Sequence, residues 1–374
     1  MSRETQTLPL PQMTPGTQRH IRLHRYGRGL TVKAYIQAAL HANETPAQLV
    51  ALHLLDMLDG ADRSGLIRGE VVVLPAANPI GLSQVGRSHL HGRFHRRTGR
   101  NFNRAWPDLA ALVGDLDERL TQDPDHNVAT VRDAMREAVR ALPVKTDDDA
   151  LRKLLTAEAC DASLVLDLHC DDVALPYLYA SPLSWPDLSD FAADLGARAV
   201  LLAEDSGGRS FDEAFSRPWA ILADRHPRCP IPQATTALTV ELRGQADVND
   251  TLARADATAI FRALARRGFI DVDVPPPPPL QCTASDTAAC EFISASAPGL
   301  VVYSVTLGQQ VARGQRIAAV LDPTAADPWR SAVYHCAGTD GMVLSLRSHR
   351  AVSPGQSIAK IVGTTPLRGP LLED

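Results

Sequence analysis

The sequence predicts an α/β protein: a mixed, mostly parallel sheet flanked by helices, followed by a small all-β module. Across residues 1–270, short apolar runs at 32–40, 71–74, 164–168 and 238–240 alternate with longer helix-like stretches, the pattern of strands joined by helical crossovers. Five consecutive prolines at 275–279 cannot form helix or central strand and favour a stiff extended spacer. Beyond them one hydrophobic pattern occurs twice. At 374 residues the chain exceeds one average domain, so the expected organisation is an α/β domain at 1–274, a proline-rich linker at 275–290 and a β-domain at 291–374.

Composition narrows the function classes. Hydrophobic content of 45% and charged content of 22% are those of a globular protein, not a disordered, fibrous or membrane one. No run approaches the roughly 20 apolar residues of a spanning helix, and the polar N-terminus lacks the apolar core of a signal peptide, so a cytoplasmic protein without membrane association is expected. Cys160, Cys170, Cys229, Cys282, Cys290 and Cys336 form no CxxC pair and are expected to be reduced thiols. A net charge of -5 argues against a nucleic-acid partner. Of the 38 basic residues 34 are arginine, so each arginine needs a positional reason before it carries a role.

Each element has local cues. Thr45, Pro46 and Gln48 read as an N-cap, an N1 proline and the far end of a capping box, opening a helix with Leu49, Leu52, Leu55 and Met57 apolar. At 251–267, Leu252, Ala259, Ile260 and Ala263 share a stripe, two arginines end the helix and Gly268 sits where a C-cap belongs. The duplicated pattern is Val311-x-x-Gly314-Gln315-x-Ile317-Ala318-x-Val320, returning as Val352-x-x-Gly355-Gln356-x-Ile358-Ala359-x-Ile361. Each copy is a β-run after a glycine turn, preceded by a second run opening at Gly299 or Gly341, so two hairpin-rich halves should close a small β-sandwich. This resembles the barrel-sandwich fold of lipoyl and biotinyl modules. Such modules carry their cofactor on a lysine at the turn between halves, whereas the one lysine after residue 291 is Lys360, inside the second repeat. No swinging arm is expected.

A catalytic zinc takes three protein ligands and leaves a fourth position open, and two His with one Glu is a frequent set. His41-x-x-Glu44 offers two of these, although 12 histidines and 43 acidic residues make about one chance HxxE match expected. Position strengthens it. His41, His169 and Glu241 each follow an apolar strand, placing all three at strand carboxyl ends, where open α/β sheets form their sites. The bland alternatives are a core His169 paired with Asp167, and a Glu241 salt-bridged to Arg243. Neither explains three polar groups that all terminate strands, since an unpaired buried carboxylate is strongly unfavourable. Between these motifs, residues 87–104 hold six arginines and three histidines and read as a long loop over the site.

Five ordered motifs carry a resemblance: His41-Ala42-Asn43-Glu44, Asn78-Pro79, Asn101-Phe102-Asn103-Arg104, Asp167-Leu168-His169 and Val240-Glu241-Leu242-Arg243-Gly244. Together they resemble the succinylglutamate desuccinylase and aspartoacylase family, of zinc carboxypeptidase-like fold. The resemblance implies that His41, Glu44 and His169 hold one Zn²⁺ per chain, that Asn103 and Arg104 bind a substrate carboxylate, and that Glu241 is the catalytic carboxylate. It also implies an oxyanion-stabilising arginine shortly before the Asn-Arg pair, a place that Arg96 fits and Arg93 fits nearly as well. Three departures stand out. Asn101 replaces the usual Asp, Ala42 replaces a Gly, and the relatives' arginine about ten residues before the catalytic Glu has no counterpart, Arg228 being nearest. The segment Cys170-Asp171-Asp172 reads as solvated charge beyond a strand end, with added acidity in the pocket as the alternative. The expected function is zinc-dependent deacylation of an N-acyl amino acid or similar small carboxylate, by a chain that could form a homo-oligomer. A carboxypeptidase-like peptidase is the runner-up, and a non-catalytic metal-bearing binding module the third reading.

Overall fold

Nine strands form one mixed sheet in the computed structural model, which describes residues 3–87 and 89–367. From one edge the order is Glu4–Pro9, His20–Tyr26, Glu70–Leu74, Lys33–Ala38, Leu164–Asp171, Thr236–Gly244, Tyr177–Ala180, Ala199–Leu202 and Ala284–Asp286. The four central strands from Glu70–Leu74 to Thr236–Gly244 are parallel, and antiparallel pairings occur on either side of them. The mixed, mostly parallel sheet expected from the alternation of apolar runs is what forms.

Those runs are continuous because both faces are covered. Alternate side chains go to opposite layers. Ile36, Val73, Leu166 and Leu238 pack with Leu54, Leu58, Ile260 and Leu264 of the helices Thr45–Arg63 and Asp250–Arg266. Tyr35, Val72, Val165 and Ala237 meet Trp106, Val131, Leu151, Phe211 and Trp219 on the other side.

Two local expectations change. The capping box at Thr45 does not form: Thr45 is already helical, and Glu44 stands at the N-cap without a side-chain cap bond, its carboxylate being turned to two histidines. The strands holding His169 and Glu241 run on to Asp171 and Gly244, so both residues lie within their strands and are direct register partners. The helix Asp250–Arg266 is capped by Asn249, whose side chain accepts from Leu252 N–H at 3.1 Å, and Gly268 takes a left-handed φ of 75° where the chain turns back.

Within 275–290, Ala284–Asp286 adds a parallel edge strand to the large sheet against Ala199–Leu202. The duplicated segment beyond forms two smaller sheets that exchange strands. Gln310–Val311 of the first copy pairs with Gly341–Leu346 of the second, and Ala351–Val352 of the second pairs with Gly299–Tyr303 of the first. Each half completes the other's sheet over a core containing Val301, Ile317, Val343, Ile358 and Ile361. The short strand Val173–Ala174, just past His169, pairs with Gly341–Leu346 and ties this module to the large sheet.

Leu166 is 1% exposed in a strand with neighbours on both sides. Leu166→Ala is expected to lower the unfolding free energy by about 2–5 kcal/mol, read as an earlier midpoint in denaturant titration.

Candidate functional site

His41, Glu44 and His169 come together at the carboxyl end of the central strands, all buried, with one potential ligand atom from each lying within 4.8 Å of the others. Two hydrogen bonds of Asn78 set the first of them. Its Nδ2 donates to Leu40 O at 2.8 Å and its Oδ1 accepts from Gly81 N–H at 2.8 Å, locking the backbone that precedes His41. Ala42 is accommodated by two glycines: a Cβ added at Gly81 or Gly92 would lie 2.9 or 2.6 Å from its methyl group. The 87–104 loop therefore lies flat on the His41 turn, Ala42 N–H donating to Gly92 O at 3.0 Å.

The glutamate bridges the histidines, Oε1 lying 2.9 Å from His41 Nδ1 and Oε2 2.8 Å from His169 Nδ1. Both Nε2 atoms face away to acceptors. His41 Nε2 donates to Asn101 Oδ1 at 2.8 Å, and His169 Nε2 to Asp167 Oδ2 at 2.8 Å. Asn103 N–H also donates to Asn101 Oδ1, which orients that amide and leaves Asn101 Nδ2 without a partner among the described residues. Asp167 in turn accepts from Gln37 Nε2 at 2.9 Å, and Gln37 Oε1 from Tyr35 at 2.8 Å. With Nε2 used as a donor, each imidazole presents its Nδ1 lone pair to the centre, as a metal ligand held by an outer hydrogen bond must.

The charges also call for a cation. Burial, reinforced by Arg93, pushes His41 down to about 4, so it is neutral. Burial opposes charge on His169 and Glu44 too, yet Asp167 and Glu44 together hold His169 well above its ordinary range, and the two histidines hold Glu44 below the usual carboxylate range. A metal ion fits this demand and the donor set. Cys170, next in sequence, gives only its backbone N–H to Glu44 Oε2, at 3.1 Å.

Glu241 lines the same cavity. Burial, then repulsion from Glu44, pushes its carboxyl up to about 8, and its Oε2 is buried without a partner among the described residues. Arg243 does not pair with it but with Asp256, at 2.6 and 3.0 Å. The structure separates the two arginine candidates. Arg93 lies 3.3 Å from Glu44 Oε1 and lines the cavity, whereas Arg96, anchored by its N–H to Gln84 Oε1, packs against Gly86 and does not line it. Sequence spacing favoured Arg96, but the loop's turn aims Arg93 inward.

Asn103 and Arg104 also line the cavity. Asn103 Oδ1 accepts from Phe211 N–H at 2.8 Å, fixing its amide. Behind them is Arg152, which sequence reasoning missed. Its buried guanidinium stacks 4.9 Å above Trp106, donates to Arg104 O at 2.7 Å and pairs with Asp148. The arginine-rich composition hides it. Four of the five non-glycine residues with positive φ among the described residues flank this cavity: Ala39, Ala105, Arg209 and Arg243 each stand within two residues of a lining side chain. Such strain is stored where the surroundings over-determine the backbone.

The Cys170-Asp171-Asp172 segment is neither solvated nor a free acidic wall. Asp171 accepts from Lys360 Nζ at 2.7 Å and Tyr177 at 2.9 Å, while Asp172 accepts from Ser348 N–H at 3.0 Å. Burial opposes the Lys360 charge, but Asp171 outweighs it and raises its pKa. Lys360 and Phe292, from the C-terminal sheets, thus close a cavity of ≈ 100 Å³ that Asp212 and Glu213 line as well. None of these four carries a sequence motif.

Residues 31–267 match the succinylglutamate desuccinylase/aspartoacylase catalytic domain, and the chain belongs to that family of hydrolases. No curated protein matches it. Among solved structures it superimposes on a succinylglutamate desuccinylase/aspartoacylase family protein from Shewanella amazonensis SB2B at 23% identity, with a TM-score of 0.84 over 96% of this chain and 98% of that one. Another such protein, from Shewanella frigidimarina NCIMB 400, gives 21% identity and 0.83 over 96% and 97%. One from Rhodobacter sphaeroides gives 18% and 0.67 over 96% and 95%. These similarities establish the shared fold. No helix among the described residues is long and apolar enough to cross a membrane.

Because Asn101 Nδ2 is idle, a carboxylate fits its place and would make His41 a more basic ligand. Asn101→Asp is expected to tighten binding of a divalent metal ion by about tenfold, and Asn101→Leu to weaken it by about 10–100-fold, measured by competition with a chromogenic chelator.

Proposed function

We propose that this protein is a zinc-dependent amidohydrolase that removes the acyl group from an N-acyl amino acid or a similar small, carboxylate-bearing amide. One observation carries the proposal: Glu241, the register partner of His169, lines the same cavity as His41 and His169 and has a buried carboxylate oxygen that no described residue satisfies. A structural site would satisfy such an oxygen or dispense with it. His41, Glu44 and His169 would hold the zinc, which when bound supplies a Lewis acid for the amide carbonyl and lowers the pKa of water to about 7.

The protein's own groups account for the remaining steps. Glu241 takes the proton of the attacking water and delivers it to the departing amine nitrogen, one carboxylate serving as base and then acid. Arg93, on the Glu44 side of the cavity, opposes the negative charge that develops on the carbonyl oxygen. Asn103 and Arg104 receive a substrate carboxylate, for which a guanidinium fork is better shaped than an ammonium. The cavity of ≈ 100 Å³, closed by Phe292 and Lys360, favours a small molecule over a polypeptide, which is why the peptidase reading ranks second. The module bearing Lys360 is read as a barrel-sandwich domain that caps the cleft.

Glu241→Gln is expected to retain about one zinc per chain and lose about 10²–10⁴ in kcat, while His41→Ala and His169→Ala lose metal and turnover together, as metal analysis and release of free amine would show. A Glu241→Gln variant with full activity would remove the mechanism. Arg93→Ala is expected to cost about 10²–10³ in kcat, whereas Arg96→Ala stays within about threefold of the parent, in the same assay.

A further inference from the structure

Gln84 does not line the cavity, yet its side chain meets the loop that carries Arg93 at three points. It is 7% exposed and lies just past the short helix Pro79–Leu82, its N–H donating to Gly81 O at 3.0 Å. Nε2 donates to His91 O at 2.6 Å and to Phe94 O at 2.8 Å, and Oε1 accepts from Arg96 N–H at 2.7 Å. The main chain adds a fourth bond, His91 N–H donating to Gln84 O at 3.0 Å. Both amide protons and one oxygen lone pair are thereby spent on residues 91, 94 and 96, which bracket Arg93. The partners fix the amide's orientation, since two carbonyls need a donor and one N–H needs an acceptor.

The buried members of this stretch are Gly92, whose backbone lies against Ala42, and His95, edge-on to Phe102 at 5.8 Å. His91, Phe94, Arg96 and Arg97 are exposed. Apolar packing is therefore thin, and hydrogen bonds decide the course of the backbone. On its far side Phe102 N–H donates to Arg93 O at 3.1 Å and His95 N–H to Arg100 O at 2.8 Å, which ties the loop to itself and to the 101–104 turn. Gln84 ties it to the helix before it. Arg93 does not supply this order: its side chain is 43% exposed, and its Nη1 lies 3.3 Å from Glu44 Oε1 and 3.4 Å from His41 Nδ1. A firm charge-assisted bond is about 2.7–2.9 Å, so the backbone and not these contacts sets where the guanidinium points.

We propose that Gln84 is the positioning residue for Arg93: its carboxamide templates residues 91–96 so that the Arg93 guanidinium is held at the cavity beside Glu44. The catalytic consequence rests on the deacylase reading, in which Arg93 opposes charge on the carbonyl oxygen, but the placement of the loop does not. Only an amide of this length meets all three main-chain groups. A glutamate keeps the bond from Arg96 N–H and sets its second oxygen against two carbonyl oxygens. A methionine of similar volume offers those carbonyls no donor, and an asparagine falls one methylene short. An interaction made with developing charge is felt in the transition state and not in substrate binding, so displacing Arg93 lowers kcat and leaves KM nearly unchanged.

The test is a double-mutant cycle on the zinc-loaded full chain, with whichever N-acetyl or N-succinyl amino acid the parent hydrolyses best. Gln84→Met is expected to lower kcat by about 30–300-fold, most of the loss given by Arg93→Ala, with KM and zinc content within about threefold of the parent. In the Arg93→Ala background the same substitution is expected to cost no more than about threefold, because the group it places is already gone. Gln84→Glu, with the same expected outcome, is the second variant if Gln84→Met does not fold. A kcat within about threefold of the parent, a loss that falls on KM, or the full loss repeated in the Arg93→Ala background would each overturn the proposal. Trypsin digestion read by mass spectrometry follows the loop without reference to activity. Cleavage after Arg93, Arg96 or Arg97 is expected at least about tenfold faster in Gln84→Met than in the parent, and equal rates would also overturn the proposal. Faster cleavage, in a protein whose parent hydrolyses none of the amides, would remove the deacylase reading and leave the templating of the loop by Gln84 in place.

Discussion

The carboxylate of Glu44 touches both His41 and His169, and much of the surrounding structure serves to keep that contact buried in one arrangement. Glu44 can reach both rings only because the strands Lys33–Ala38 and Leu164–Asp171 are parallel neighbours paired Ala38 to Leu168, which brings their carboxyl ends level. A slip of one residue would turn His169 to the opposite face of the sheet and leave Glu44 with one partner. The apolar runs prevent it, since the same slip would exchange the side chains facing the two helical layers.

Around this contact, polar groups are satisfied outward in sequence. Asn101 and Asp167 accept from the outer imidazole nitrogens, Gln37 donates to Asp167, and Tyr35 donates to Gln37. Every step is buried, so each group depends on the next for the hydrogen bond it has given up to water. Asn101 Nδ2 and one buried oxygen of Glu241, which lines the cavity, are the groups left here without a partner among the described residues.

The C-terminal sheets are part of this construction rather than an appendage. Val173–Ala174 pairs with one of their strands, Asp172 holds Ser348, and the half-buried Lys360 brings a positive charge to Asp171 beside the cavity. Without Lys360, Asp171 would be an uncompensated acid two residues along the strand from His169.

What the sequence determined by itself was local. Continuous apolar runs marked the central strands, the polar residues ending those runs placed His41, His169 and Glu241 at one end of the sheet, and the duplicated glycine turns marked the exchanging strands. These signals survive because hydrophobic periodicity and turn chemistry act over a few residues. The strand ends were misjudged by up to four residues, since pairing with a neighbour, not composition, decides where a ladder stops. Tertiary structure alone decided that Arg93 and not Arg96 lines the cavity, that Arg152 braces the Asn103–Arg104 turn, that Asp171 belongs to Lys360, and that Asp212 and Glu213 share the cavity. Each of these is a contact between segments distant in the chain, or a choice between neighbours in an irregular loop. For such choices the energy lies in a partner that the local sequence does not contain.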